Sequence, residues 1–502
     1  MAKSYLDYID EINSQALYDG LLLEGMFGNR IIPIFTTDSF YTFINSNQML
    51  NFSKNSNIDY IRYKSNRNNK LPRMMGIPNP FAYENLCKDL MIYWNNIQMH
   101  FSNKTNNDKY KISQVHLRKM KGTKKLFDMN YNNFKTDDTL MDELKIGKKY
   151  VVKADISNCF PSIYTHSIPW ALVGKENAKQ YQKDSFWFNS IDSSCRAMKM
   201  KETHGILVGP HTSNIISEII LCDIDSKLKD YTYTRHIDDY TCYCEGEKEA
   251  EQFLEVLQKE LSNYDLFLNN KKTEIIKMPN IINDDWNEQL KNFSFNFYED
   301  QIKYNSLKSF FNLVDLFVFK TNNLSIIYYA WKIINKYNLS KNAKSLYLKL
   351  SRYYLYHFPY LYPFFEKYVI EKLSLSVDDI KDIVKENIFN MMEKSNYEGV
   401  SYCLYYVYKY GIDVDDVYDN NLNKLYEDSK NTNDCIVLLL AALCVQSNKN
   451  EYKKYKNYAR EILNNDEMNK YWLFCYEILT QTDLKSDWKK AKKAGVSFVK
   501  QM

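Results

Sequence analysis

The chain has 502 residues, 45% of them hydrophobic and 25% charged, which excludes both wholesale disorder and collagen-like repetition. Its 66 basic and 62 acidic residues leave a formal charge of +4, so composition alone marks no nucleic-acid binder and local patches must be read instead. The longest apolar run, at 435–445, falls far short of the ~20 residues that span a bilayer. The first residues carry no apolar signal core, and the ten cysteines contain no C-x-x-C, so reduced thiols and a cytoplasmic location are expected. Tyrosine is the outlying count at 43, read as base composition and packing.

Between 104 and 125, Lys104, Lys109, Lys111, Arg118, Lys119, Lys121, Lys124 and Lys125 face only Asp108 as an acid. Such a run could track a phosphate backbone with Tyr110 and His116 stacking on bases, or be a solvated basic loop. Segment 148–157 reads as a strand, since Tyr150, Val151, Val152 and Ile156 are strand formers running into a polar turn. Ile215, Ile216, Ile219, Ile220, Ile224 and Leu228 have helical spacing after a Ser213-Asn214 cap. Residues 231–244 alternate around Asp238 and Asp239 and read as a hairpin. An amphipathic helix follows on Ala250, Phe253, Leu254, Leu257 and Leu261, and 266–268 with 273–275 looks like a second short hairpin.

From about residue 300 glycine nearly vanishes, and helical patterns succeed one another at 324–337, 342–356, 400–410, 435–445 and 468–479. The expected fold is α+β in 1–290, followed by an all-α helical array or solenoid in 291–502.

Three carboxylates carry the chemistry. Asp155 ends the 148–157 strand, and Asp238 and Asp239 sit at the hairpin turn of RHIDDY. Carboxylates from a strand end and an adjacent hairpin can converge to hold two Mg²⁺ ions, or Mn²⁺, for an in-line phosphoryl transfer.

The order of motifs resembles the fingers and palm of reverse transcriptases. ADISNCF at 154–160 is similar to their first metal motif, and GILVGPHTSN at 205–214 to the glycine-bearing template and nucleotide motif. RHIDDY at 235–240 resembles tyrosine-x-Asp-Asp, LNNKKT at 268–273 the Lys-Thr motif, and LPRMMGIPNP at 71–80 the fingers segment. YTHSIPW at 164–170 and THG at 203–205 narrow the resemblance to the abortive-infection (Abi) polymerases, anti-phage relatives of reverse transcriptases, in their shorter, prophage-encoded branch.

That resemblance implies roles. Asp155 and Asp238, with Ile156, would bind the metals, and Asp239 would lie beside them. Phe160 would sit under the sugar and exclude a 2′-hydroxyl; Arg73 would grip the triphosphate, with Ile156 and Gly209 at the nucleotide; Lys272, next to Lys271, would protonate pyrophosphate. The position before Gly209, usually Gln, is Val208, and the usual tyrosine before x-Asp-Asp is His236. Both departures fit the template-independent DNA synthesis known for the Abi family better than RNA-templated copying from a partner RNA. The family also primes from a tyrosine hydroxyl, so that single-stranded DNA stays attached to protein. A mobile terminus would suit a primer, which favours Tyr8 and then Tyr5. The resemblance further implies dNTP substrates, a HEAT-like C-terminal array, a homo-oligomer, no membrane and an unidentified phage trigger. A catalytically relict phage-sensing scaffold is the rival from another class. Arg352 and His357 form the R-x4-H pattern of HEPN-type ribonucleases, although Tyr353 stands where that pattern has a polar residue.

Overall fold

A computed structural model describes residues 3–28, 30–46, 58–68, 71–120, 122–127, 134–279 and 285–501. The first half is built around an antiparallel four-stranded sheet in the order β4-β5-β3-β6, with β3 Tyr150–Asp155, β4 Tyr233–His236, β5 Asp239–Cys244 and β6 Glu274–Lys277. Val151, Val152 and Ala154 bury both faces of β3, as a central strand requires. A separate hairpin, β1 Ile61–Ser65 with β2 Arg73–Ile77, stands ahead of it. The His211–Asp225 helix is buried on all sides, whereas Glu247–Ser262 buries only the stripe of Ala250, Phe253, Leu257 and Leu261.

Several expectations are corrected. The His211–Asp225 helix starts before Ser213, whose hydroxyl donates instead to the Leu207 carbonyl at 2.6 Å. Residues 266–277 form no hairpin. Leu268 bridges Ile156 while Glu274 pairs with Lys153, so one edge strand runs along β3 and is interrupted by a loop at 269–273. The middle of the basic stretch is not a solvated loop, although Lys109, Lys119 and Lys124 are exposed. Residues 112–118 are buried, and Gln114 N donates to the Arg235 carbonyl at 2.8 Å, laying the segment beside β4. Lys104 pairs with Asp223, Lys124 with Asp19, and Asp108 with Lys229. His116 is packed against Tyr5 and Tyr8, and burial pushes its imidazole down to about 3, so it is not a base-stacking platform. Lys121 lies outside the described residues.

Beyond Phe297–Tyr298 and Gln301–Ile302, which form a small sheet with Asn338–Leu339, the described chain is otherwise helical, from Tyr304–Thr321 to Ser486–Lys493. Among the described residues no helix is long and apolar enough to cross a membrane. The second half packs directly onto the first. The carboxylate of Glu398, in the Tyr397–Lys409 helix, accepts from Tyr63 Oη at 3.2 Å, Ser65 Oγ at 3.0 Å and the Asn66 amide, tying the end of β1 to the helical region. The tail returns to the start: Thr36 N donates to Phe498 O at 2.9 Å and Lys500 N to Ile34 O at 2.9 Å.

Candidate active site

β3 and β5 pair in a register that sets Asp155 directly opposite Asp239. β4 and β5 are joined by a two-residue turn, with His236 opposite Asp239, so Asp238 stands at its tip. Carboxylate oxygens of Asp155, Asp238 and Asp239 all lie within 4.8 Å of one another, and among the described residues this is the one cluster able to hold a metal ion. Burial, then the charge of Asp155, raises the Asp238 carboxyl above its ordinary value. Asp239, although exposed as a residue, is pushed up to about 7, first by burial of its carboxyl and then by its contact with Asp155 and the charge of Asp238. Asp238 and Asp239, both held back from ionising, stand with Asp155 as an oxygen donor set that a hard divalent cation relieves, so these residues fit such an ion.

The 269–273 loop bulges from the edge strand towards this cluster. Lys272 Nζ donates to Asp155 Oδ1 at 3.0 Å and Asn269 Nδ2 to Asp155 Oδ2 at 2.9 Å. Lys272 is therefore separated from Lys271, and Asn269 enters the site although sequence reasoning passed over it. Its only signal was its place three residues ahead of that lysine. Ile156 is a core side chain, 1% exposed; its amide donates to the Asp238 carbonyl at 3.2 Å, so any contact with metal or nucleotide falls to its backbone.

The turn residue Ile237 has φ +60°, a left-handed conformation that costs a β-branched residue ~1–2 kcal/mol. Beneath it lies Arg235, 0% exposed, whose Nη1 donates to the Ile237 carbonyl at 2.9 Å and to Glu218 at 3.1 Å, while Nε donates to Asp225 at 2.8 Å. A hydrogen bond to a charged group contributes ~1.5–3 kcal/mol, enough to offset the strain.

Phe160 is half-buried just after β3, and its carbonyl accepts from Ile206 N at 2.9 Å, which fixes the 205–214 motif to the metal motif. Tyr164 and His204 form a β-bridge, so the YTHSIPW and THG strings are one structural unit. Gly209 has φ +126°, and a Cβ there would stand 3.1 Å from Met75 Cε; Gly28, at φ +65°, is pressed so closely that its Cβ would lie 2.6 Å from Gly209 O. Gly76 N donates to Val208 O at 2.8 Å, docking β2 on this loop.

Arg73, at the start of β2, is half-buried. Burial, and then the charges of Arg67 and Arg30, lowers its pKa, while Asp238 pulls the other way. Arg67 and Arg30 therefore lie near enough to Arg73 for their charges to be felt there, on the side of the sheet that carries Asp238. Arg30 and Arg67 were missed because they come from separate segments and belong to no linear motif.

The structure does not place the tyrosines on a mobile terminus. They lie in the Tyr5–Asp10 helix, closed by a Ser4/Asp7 capping box. Tyr5 is 5% exposed, with its hydroxyl 3.8 Å from Cys222 Sγ, so burial withdraws it from solvent. Tyr8 is half-buried, with Lys3, Lys111 and Arg118 over its ring. Arg352 is committed to an ion pair with Glu386.

Residues 92–306 match the family profile described as "Reverse transcriptase (RNA-dependent DNA polymerase)". This chain carries a reverse transcriptase domain. The domain is that of a reverse-transcriptase-like nucleotidyltransferase, a class that uses divalent metals, and it holds Asp155, Asp238 and Asp239. No curated protein sequence matches the chain. Similar solved structures include telomerase from Candida albicans in complex with a telomeric RNA fragment, at 11% identity and TM-score 0.32, covering 84% of this chain and 66% of that one. Apo telomerase from Candida tropicalis is similar at 13% identity and TM-score 0.32, covering 76% and 72% respectively.

Proposed function

We propose that the chain is an anti-phage, abortive-infection DNA polymerase that adds dNTPs without a template and primes on its own tyrosine, leaving single-stranded DNA attached. The observation that carries the polymerase reading is the convergence of Asp155, Asp238 and Asp239 with Arg73 electrostatically beside Asp238. Two Mg²⁺ ions, or Mn²⁺, held by Asp155 and Asp238 would supply the charge stabilisation that an attacking and a leaving oxygen need. The residues do the rest. Arg73, Arg67 and Arg30 would hold the triphosphate, and Lys272, bonded to Asp155, would give a proton to departing pyrophosphate. Phe160 packs under the sugar, and Gly209 leaves the backbone open towards the nucleotide.

Val208 and His236, in place of the usual Gln and Tyr, support untemplated synthesis, because those positions otherwise touch template or primer. The linked YTHSIPW and THG strings support the Abi assignment. Tyr8, rather than the buried Tyr5, is the primer candidate; a homo-oligomer, a HEAT-like array and a phage trigger complete the reading. Incubation of the purified protein with dNTPs and Mg²⁺, free of added nucleic acid, tests it. Product of a composition unrelated to any co-purified RNA is expected, whereas product complementary to such an RNA would establish templated reverse transcription instead.

A further inference from the structure

We propose that Arg235 is a positioning residue for Asp238, setting the metal affinity of the site through the Ile237 carbonyl. This rests on the reading of Asp155 and Asp238 as metal ligands.

The peptide groups on both sides of Asp238 are held. The carbonyl after it accepts from Ile156 N at 3.2 Å, which ties the turn to the strand end carrying Asp155. The carbonyl before it accepts from Arg235 Nη1 at 2.9 Å. Ile237 must keep φ +60° for a two-residue turn to present Asp238 over β3, and a β-branched residue does not hold that conformation unaided. Without Arg235, the peptide before Asp238 is free to rotate and the carboxylate loses its aim at Asp155.

The support is rigid because Arg235 is anchored at its other end. Asp225 and Glu218, both on the His211–Asp225 helix, take the remaining guanidinium edge, and all three side chains are at most 8% exposed. That helix begins directly after Gly209 and Pro210. Arg235 therefore couples the glycine-bearing motif, which meets the nucleotide in the reading above, to the turn that bears a metal ligand. The planar fork makes this possible, since one guanidinium reaches two carboxylates and a carbonyl in fixed directions; a lysine has no such geometry.

Mn²⁺ binding to the full-length protein, followed by the electron paramagnetic resonance signal of free Mn²⁺, tests this without turnover. Arg235→Lys is expected to weaken Mn²⁺ binding roughly 10- to 100-fold, the range seen when residues supporting metal ligands are replaced. Where burial of the mismatched charges prevents folding, the neutral triple variant R235M/D225N/E218Q removes the same bond without stranding a carboxylate and should show the same loss. Adding Ile237→Gly to either variant should recover part of the affinity, because glycine adopts the turn conformation without support. A folded Arg235 variant with wild-type Mn²⁺ affinity overturns the positioning role while leaving the metal site intact. Wild-type affinity in Asp238→Ala would instead overturn the metal-site reading itself.

Discussion

Lys272 Nζ sits 3.0 Å from Asp155 Oδ1, on a loop that interrupts the edge strand opposite β3. Lys271, its neighbour, meets the same loop through its backbone amide, 3.2 Å from Asn269 Oδ1. The two lysines should therefore separate cleanly in kinetics. Lys272→Ala is expected to lower kcat for nucleotide addition roughly 100-fold, the scale of a lost proton donor, while Lys271→Ala leaves kcat near wild type. Single-turnover incorporation of one labelled dNTP measures both, and equal losses would remove Lys272 from the chemistry.

The three arginines make a prediction about binding rather than rate. Arg67→Ala and Arg30→Ala should each raise KM for dNTP roughly tenfold, the worth of a hydrogen bond between charged groups, with a smaller change in kcat. Loss of kcat at constant KM would place these residues outside the triphosphate site.

Phe160 is anchored through its carbonyl to Ile206, so trimming its ring should leave the backbone of the site in place. Phe160→Ala is expected to improve rNTP use relative to dNTP by roughly 10- to 100-fold, a range typical of pocket-size discrimination. The ratio of the two kcat/KM values reports it. An unchanged ratio would make the ring a packing residue only.

Glu398 should make the union of the two halves pH-dependent. Burial pushes its carboxyl up to about 7, against 4.5 for the ordinary group, although Asn66, Ser65 and Tyr63 donate to it. A carboxyl harder to ionise in the folded protein contributes stability that is whole below about pH 4.5 and is lost as pH rises through about 7. Glu398→Gln cannot ionise, so melting temperatures of the two proteins should shift in the variant's favour between pH 5 and pH 8. A difference in melting temperature independent of pH would contradict the burial.

The parts of this site that were legible in sequence are those whose chemistry and local structure share one stretch of chain. Asp155 closes a run of strand formers, and Asp238–Asp239 mark a turn between alternating segments, so both the strand and the hairpin could be read directly. Lys272 could not be told from Lys271, because the loop that chooses between them exists only once 266–277 pairs with β3. Arg30, Arg67 and Glu398 were invisible for a related reason: each acts across a gap in sequence that only packing closes. The basic stretch misled because its cations drew attention from Ile112, Val115 and Leu117, the interleaved apolar residues that bury its middle. Tyr5 misled because position near a terminus was taken for mobility, whereas a capped helix and a core contact hold it.

The most direct measurement of the central claim is phenol partition of label after the purified protein is incubated with a radiolabelled dNTP and Mg²⁺. The account predicts that label extracts with the protein, that digestion and mass spectrometry place a deoxynucleotide on a tyrosine, and that Asp155→Ala and Asp238→Ala abolish it. Label that stays in the aqueous phase as free DNA, or label on protein that survives Asp238→Ala, would contradict it.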